Sequence, residues 1–81
     1  MNDTLGWAYY KQGRLPDAVT ALRRSVELDP KSTTAVYHLA LACEKSGDRQ
    51  AARQAIALYL KLDPNSERGI ELRRRMDALG S

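Results

Sequence analysis

The sequence has few of the residues or segments that would tie it to a membrane or to an oxidising compartment. It has no Phe, three Pro and a single Cys in 81 residues. One cysteine cannot form an intramolecular disulfide, so folding does not require an oxidising compartment. We find no apolar run of about 18 residues, as a membrane span requires, and no charged-then-apolar leader. We therefore expect no membrane partner and favour a cytoplasmic location, with a periplasmic one open if the chain belongs to a longer exported protein.

The sequence also lacks a large excess of either sign of charge. Thirteen Lys and Arg residues stand against ten Asp and Glu, which gives a formal net charge of +3. The acidic residues are scattered among the basic ones and are not segregated from them. A mild, mixed excess of this kind keeps a protein soluble and does not point to a nucleic-acid partner.

Residues that carry catalysis are sparse. His38 is the only histidine, and no Cys or Asp stands at ligand spacing on its helix face, which favours a structural or exposed imidazole. Cys43 falls on an apolar stripe and is expected to be an inert buried thiol. Gly13 and Gly47 belong to no phosphate-binding pattern. The sequence predicts no enzyme activity, no metal and no cofactor.

The chain does contain a repeat with a spacing of 34 residues. The residues that recur occupy the same order in both copies: Leu5, Ala8, Lys11, Gly13, Ala18, Ala21, Leu28, Asp29 and Pro30 return as Leu39, Ala42, Lys45, Gly47, Ala52, Ala55, Leu62, Asp63 and Pro64. A period of this length is typical of stacked helix pairs, since one pair alone cannot bury its apolar face.

Local signals predict five helices. Gly13 and Gly47 end the first helix of each pair, so the first helix of the chain ends near Gln12. Pro30 and Pro64 follow the second helix of each pair. Pro16 suits a first helical turn, Ser32 or Thr33 and Asp48 are candidate N-caps, and a fifth helix runs from Asn65-Ser66 to about Leu79. Residues at three- and four-residue spacing give each helix an apolar face: Leu5, Gly6, Tyr9; Ala18, Ala21, Leu22, Ser25, Val26; Val36, Leu39, Ala40, Cys43; Ala52, Ala55, Ile56, Tyr59, Leu60; Ile70, Leu72, Met76, Leu79.

The aligned repeats resemble the tetratricopeptide repeat family. Its first-helix pattern is matched by Leu5-Gly6, Ala8, Tyr9 and by Leu39-Ala40, Ala42, Cys43; its turn glycine by Gly13 and Gly47; its second-helix alanine by Ala18 and Ala52; and its closing Asp-Pro by Asp29-Pro30 and Asp63-Pro64. The opening residues are similar to the last repeats of long bacterial members. The resemblance implies an all-α, right-handed stack in a single domain, 1–81, with repeat one at 1–32, repeat two at 33–66 and a capping helix at 67–79.

The resemblance also implies a non-enzymatic scaffold that binds a protein partner in a concave groove lined by the first helix of each repeat. Beside the core stripes, a second stripe on these helices predicts the partner-binding residues: Trp7, Tyr10, Lys11, Tyr37, Leu41, Glu44, Lys45 and Arg75. Its aromatic residues would form an apolar floor. Lys11, Lys45 and Arg75 would favour an acidic peptide or helix.

Three alternatives stay open. Trp7 and Tyr37 could pack across the junction between helices and leave no usable patch. The open face of the first helix could instead be covered by a second copy of the chain, making a homo-oligomer. Arg73, Arg74 and Arg75 suggest nucleic-acid binding, but successive helical residues point about 100° apart and acidic neighbours lie within pairing distance, so a solvated capping helix is favoured.

Overall fold

The computed structural model describes residues 2–79, with the side chains of residues 5–79. This part of the chain forms five α-helices, which are α1 (Asn2–Lys11), α2 (Leu15–Leu28), α3 (Thr33–Lys45), α4 (Arg49–Leu62) and α5 (Glu67–Leu79). α1 packs on α2 and α3 on α4, while α2 lies against α3 and α5 against α4. The predicted all-α stack of helical hairpins is confirmed.

Two glycines end the first helix of each hairpin. Gly13 and Gly47 have φ angles of +78° and +86°, a left-handed conformation that glycine adopts without steric cost. In both turns the next residue donates its backbone N–H back to the helix, Arg14 to the Tyr9 carbonyl at 2.9 Å and Asp48 to the Cys43 carbonyl at 3.1 Å. The predicted ends of α1 and α3 are therefore confirmed, with α1 ending at Lys11.

Side-chain caps begin the later helices. Ser32, not Thr33, caps α3 by accepting a hydrogen bond from the Ala35 N–H, and Asp48 caps α4 by accepting one from the Ala51 N–H. The Ser66 hydroxyl accepts the N–H of Gly69 at 3.0 Å at the start of α5. Each cap satisfies a backbone donor that the first helical turn leaves unpaired.

The hydrophobic core is centred on α3. Its predicted stripe of Val36, Leu39, Ala40 and Cys43 is buried, as confirmed by exposures of 9% or less. Three large side chains from other helices complete this core with almost no exposed surface, namely Leu22, Ile56 and Leu72. Since α3 is covered by α2 on one side and α4 on the other, both hairpins share one core.

Two residues on the predicted apolar faces are exposed. Leu5 of α1 is 47% exposed and Ile70 of α5 is 50% exposed. The 34-residue equivalent of Leu5 is Leu39, which is 9% exposed because α2 packs on α3. No described helix covers Leu5 in this way. Ile70 lies on the outer side of α5, beside the exposed Arg73 and Arg74.

Candidate functional site

A stack of three rings connects α1 to α3. The Trp7 ring lies parallel to the Tyr10 ring, with centroids 4.7 Å apart, and to the His38 ring, with centroids 4.1 Å apart. The ammonium group of Lys11 lies 6.0 Å from the Trp7 ring centroid. Trp7 and Tyr10 are neither buried nor fully exposed. The stack is therefore partly accessible to solvent, with a cation near the Trp7 ring.

A second cluster is centred on Tyr37 and connects α3 to α5. The Tyr37 hydroxyl donates a hydrogen bond to Glu71 Oε1 at 3.0 Å, and the Arg68 guanidinium lies 4.6 Å from the centre of the Tyr37 ring. The Tyr59 ring packs beside it, with centroids 6.1 Å apart. Burial raises the pKa of Tyr37 above its ordinary value, and the hydrogen bond to the Glu71 carboxylate raises it further. Tyr37 therefore acts as a neutral donor at physiological pH.

Arg75 of α5 forms ion pairs with two carboxylates. Its Nε donates to Glu71 Oε2 at 3.1 Å, and its Nη1 donates to Glu44 Oε1 on α3. Burial alone would lower the pKa of the Arg75 guanidinium, but the neighbouring Glu44 and Glu71 raise it overall. Because two anions already surround this cation, Arg75 is better suited to joining α5 to α3 than to attracting an acidic ligand.

The remaining predicted site residues differ in exposure. Lys11 and Lys45 are exposed at the C-terminal ends of α1 and α3, at equivalent positions of the repeat. Leu41 is only 9% exposed, so it supports the surface from beneath and offers little area to a partner. The prediction of Leu41 as part of an accessible floor was wrong, because α3 is buried on most of its circumference.

Sequence reasoning missed the contribution of His38. Its ring covers one face of Trp7, although the register equivalent of Trp7 on α3 is Leu41. Adjacent hairpins are offset, so the contact falls about one helical turn before the equivalent position. His38 lies 31 residues after Trp7 and not 34, so the repeat register does not indicate this contact. Trp7 packs across the junction between α1 and α3, and Tyr37 packs across the junction between α3 and α5. Both side chains keep some exposed area, so the alternative that they pack across junctions and leave no usable patch is correct only in its first part.

Within residues 2–79 the structure offers little to bind a metal or to perform nucleophilic chemistry. No three His, Cys, Asp or Glu residues of this segment are grouped so that they could hold a metal ion. Cys43 is 1% exposed, and burial raises the pKa of its thiol, which disfavours the reactive thiolate. None of the helices described is both long and apolar enough to cross a lipid bilayer.

Stacked helical hairpins that pack on one another define a helical repeat protein. A family model described as Tetratricopeptide repeat matches residues 4–67. The chain belongs to the tetratricopeptide repeat family, whose members are generally non-enzymatic protein–protein interaction modules. Comparison with curated proteins finds no match.

Proposed function

We propose that the groove formed by α1, α3 and α5 binds a peptide or helix of a partner protein. The observation that carries this proposal is the three-ring stack, in which Trp7 is held between Tyr10 and His38 with exposed area remaining. Rings fixed in this way lose little conformational freedom when a ligand covers them. Tryptophan and tyrosine are also the residues most enriched at binding hot spots.

The charges around the stack favour an acidic ligand. Lys11 and Lys45 are exposed at equivalent positions of the two repeats, whereas Arg75 is neutralised by Glu44 and Glu71. We therefore assign the attraction of carboxylates to the two lysines. The Tyr37 cluster, which binds α5 to α3, serves to keep the groove in shape.

Peptides selected from a random display library on the wild-type protein would test this function. Isothermal titration of one selected peptide should give a Kd at least about 30-fold higher for Trp7→Ala, in line with loss of a hot-spot residue. Ile70→Ala is the matched control, because it removes an exposed apolar side chain from the outer side of α5 and should leave the Kd unchanged.

Charge is tested separately with Lys11→Glu and Lys45→Glu, which alter exposed side chains and should leave the helical circular dichroism unchanged. Each should weaken an acidic peptide about two- to fivefold at low salt, with a smaller effect at high salt. Equal affinities for wild type, Trp7→Ala and both lysine variants would refute the proposed groove.

A further inference from the structure

A second surface lies at the other side of the first hairpin. α1 and α2 enclose an open cleft of about 770 Å³, which we call the end cleft, lined chiefly by Leu5, Tyr9, Asp17, Ala21, Arg24 and Glu27. The groove residues Trp7 and Tyr10 do not line it. It is therefore separate from the surface that we propose for the partner peptide.

The repeat shows that a surface of this kind is normally covered by a helix. Moving 34 residues along the chain converts Leu5, Tyr9 and Ala21 of the end cleft into Leu39, Cys43 and Ala55. Those equivalents are 9%, 1% and 5% exposed, and α2 packs on α3, the helix that carries Leu39 and Cys43. Leu5, by contrast, is 47% exposed, and the end cleft lacks such a cover among the described residues.

The inner face of α2 is not available to fill the end cleft of another copy. Ala18 and Leu22 on that face are both 0% exposed, since they pack within the core. The outer face of α2 is free, and its residues at three- and four-residue spacing border the cleft. The outer face of α2 is therefore the part of this helix through which a second copy could approach.

Charges along the outer face of α2 are self-complementary when the helix is reversed. The α2 residues that line the end cleft are, in order, Asp17, the small pair Thr20 and Ala21, the cations Arg23 and Arg24, and Glu27. Just before the helix, Arg14 forms an ion pair with Asp17 at 2.8 Å, so in a dimer Asp17 would be shared between Arg14 of its own copy and Arg24 of the other. Rotation by 180° about an axis between Thr20 and Ala21 places Asp17 opposite Arg24 of a second copy and Arg14 opposite Glu27. The small residues at the centre allow the two helices to approach closely.

We propose that two copies of this chain associate through the end cleft, with their α2 helices antiparallel and Asp17 of each copy paired with Arg24 of the other. Such contact covers the exposed Leu5 and also Leu28, which is 70% exposed near the end of the same α2 stripe. The interface is closed by its two-fold axis, so association stops at the dimer. The groove stays open in both copies.

Sedimentation of the wild-type chain from about 1 μM to 1 mM should show a reversible monomer–dimer equilibrium. Arg24→Glu places two like-charged pairs in the interface and should raise the dimer Kd at least about tenfold, as should Asp17→Arg. Arg49→Glu is the matched control, because it makes the same change of charge at an exposed position on α4. It should dimerise like the wild type.

Mixing the two charge-reversed variants gives the decisive result. In a heterodimer of Arg24→Glu with Asp17→Arg, both interface pairs again join opposite charges, so association should return to about the wild-type level. Failure of the mixture to associate, with both variants retaining wild-type circular dichroism, would overturn the antiparallel arrangement. A wild-type chain that stays monomeric throughout the range would overturn the dimer. Trp7→Ala alters the proposed groove and not the end cleft, so this variant should dimerise normally. That outcome would show that the tests of the dimer and of the groove are independent.

Discussion

Gly6 of α1 lies directly against Leu22 of α2. A Cβ atom on Gly6 would be 2.5 Å from the Leu22 Cγ and 2.8 Å from its Cδ2. Both residues are buried, and Leu22 has no exposed surface through which it could move away. The absence of a side chain at position 6 therefore sets how closely α1 and α2 approach.

Gly6→Ala should destabilise the protein by about 1–3 kcal/mol, because overpacking of a filled core forces side chains out of their preferred rotamers. Helix propensity alone would predict the opposite, a gain of about 1 kcal/mol. Urea denaturation gives the free energy of unfolding. Ala8→Gly, at an exposed position of the same helix, should cost about 1 kcal/mol through propensity. A Gly6→Ala protein more stable than the wild type would contradict this account of the contact.

Gly69→Ala should weaken the attachment of α5. A Cβ at position 69 would lie 2.7 Å from the Asp63 carbonyl oxygen and 3.2 Å from that of Pro64, which are backbone atoms in the turn before the helix. We expect a loss of about 1–3 kcal/mol and faster amide hydrogen exchange, concentrated in α5. Ala78→Gly, on the exposed side of α5, is the control and should affect exchange mainly at the helix end. Unchanged exchange across α5 in Gly69→Ala would show that the turn adjusts freely.

Cys43 should contribute to stability in a pH-dependent manner. Burial raises the pKa of its thiol above the ordinary value of 9.0, so the folded protein binds the thiol proton more tightly than the unfolded chain does. The resulting stabilisation is fully present below pH 9.0 and is lost as pH rises through the pKa of the folded state. Urea denaturation from pH 7 to 10.5 should therefore show a steeper alkaline decline for the wild type than for Cys43→Ala.

Thiol labelling provides an independent check on Cys43. Iodoacetamide at pH 7.5 should react slowly with the native protein and rapidly in denaturant, because the thiol is 1% exposed. Rapid labelling of the native protein, or equal alkaline declines for the two proteins, would show that the site opens to solvent.

The helix ends could be predicted because their causes are local. A glycine at positive φ closes the turn at Gly13 and at Gly47 whatever lies around it, and proline stops a helix at Pro30 and Pro64 in the same way. The buried stripe of α3 could also be predicted, since its three- and four-residue spacing fits one helix face. These features depend on a few adjacent residues.

The sequence pattern does not show which neighbouring helix covers a face. Periodicity shows that Leu5 and Ile70 lie on apolar stripes, but it does not show whether another helix packs on them. Leu41 was predicted to be accessible. The packing of helices on both sides of α3, which buries Leu41, is a tertiary property that local sequence does not show. His38 was missed as a partner of Trp7 because the offset between hairpins is set by core packing and is not contained in the 34-residue register.

The junctions after α2 and α4 have nearly the same backbone geometry. Asp29 has φ and ψ angles of −143° and 82°, and Asp63 has −153° and 77°, with the N–H of each bonded to the carbonyl four residues earlier. The backbone thus leaves the second helix of each hairpin in the same way. A duplicated 34-residue segment spliced in at either Asp-Pro step would find matching geometry before and after it. Lengthening by whole hairpins is therefore an evolutionary route that the fold permits without any new kind of turn.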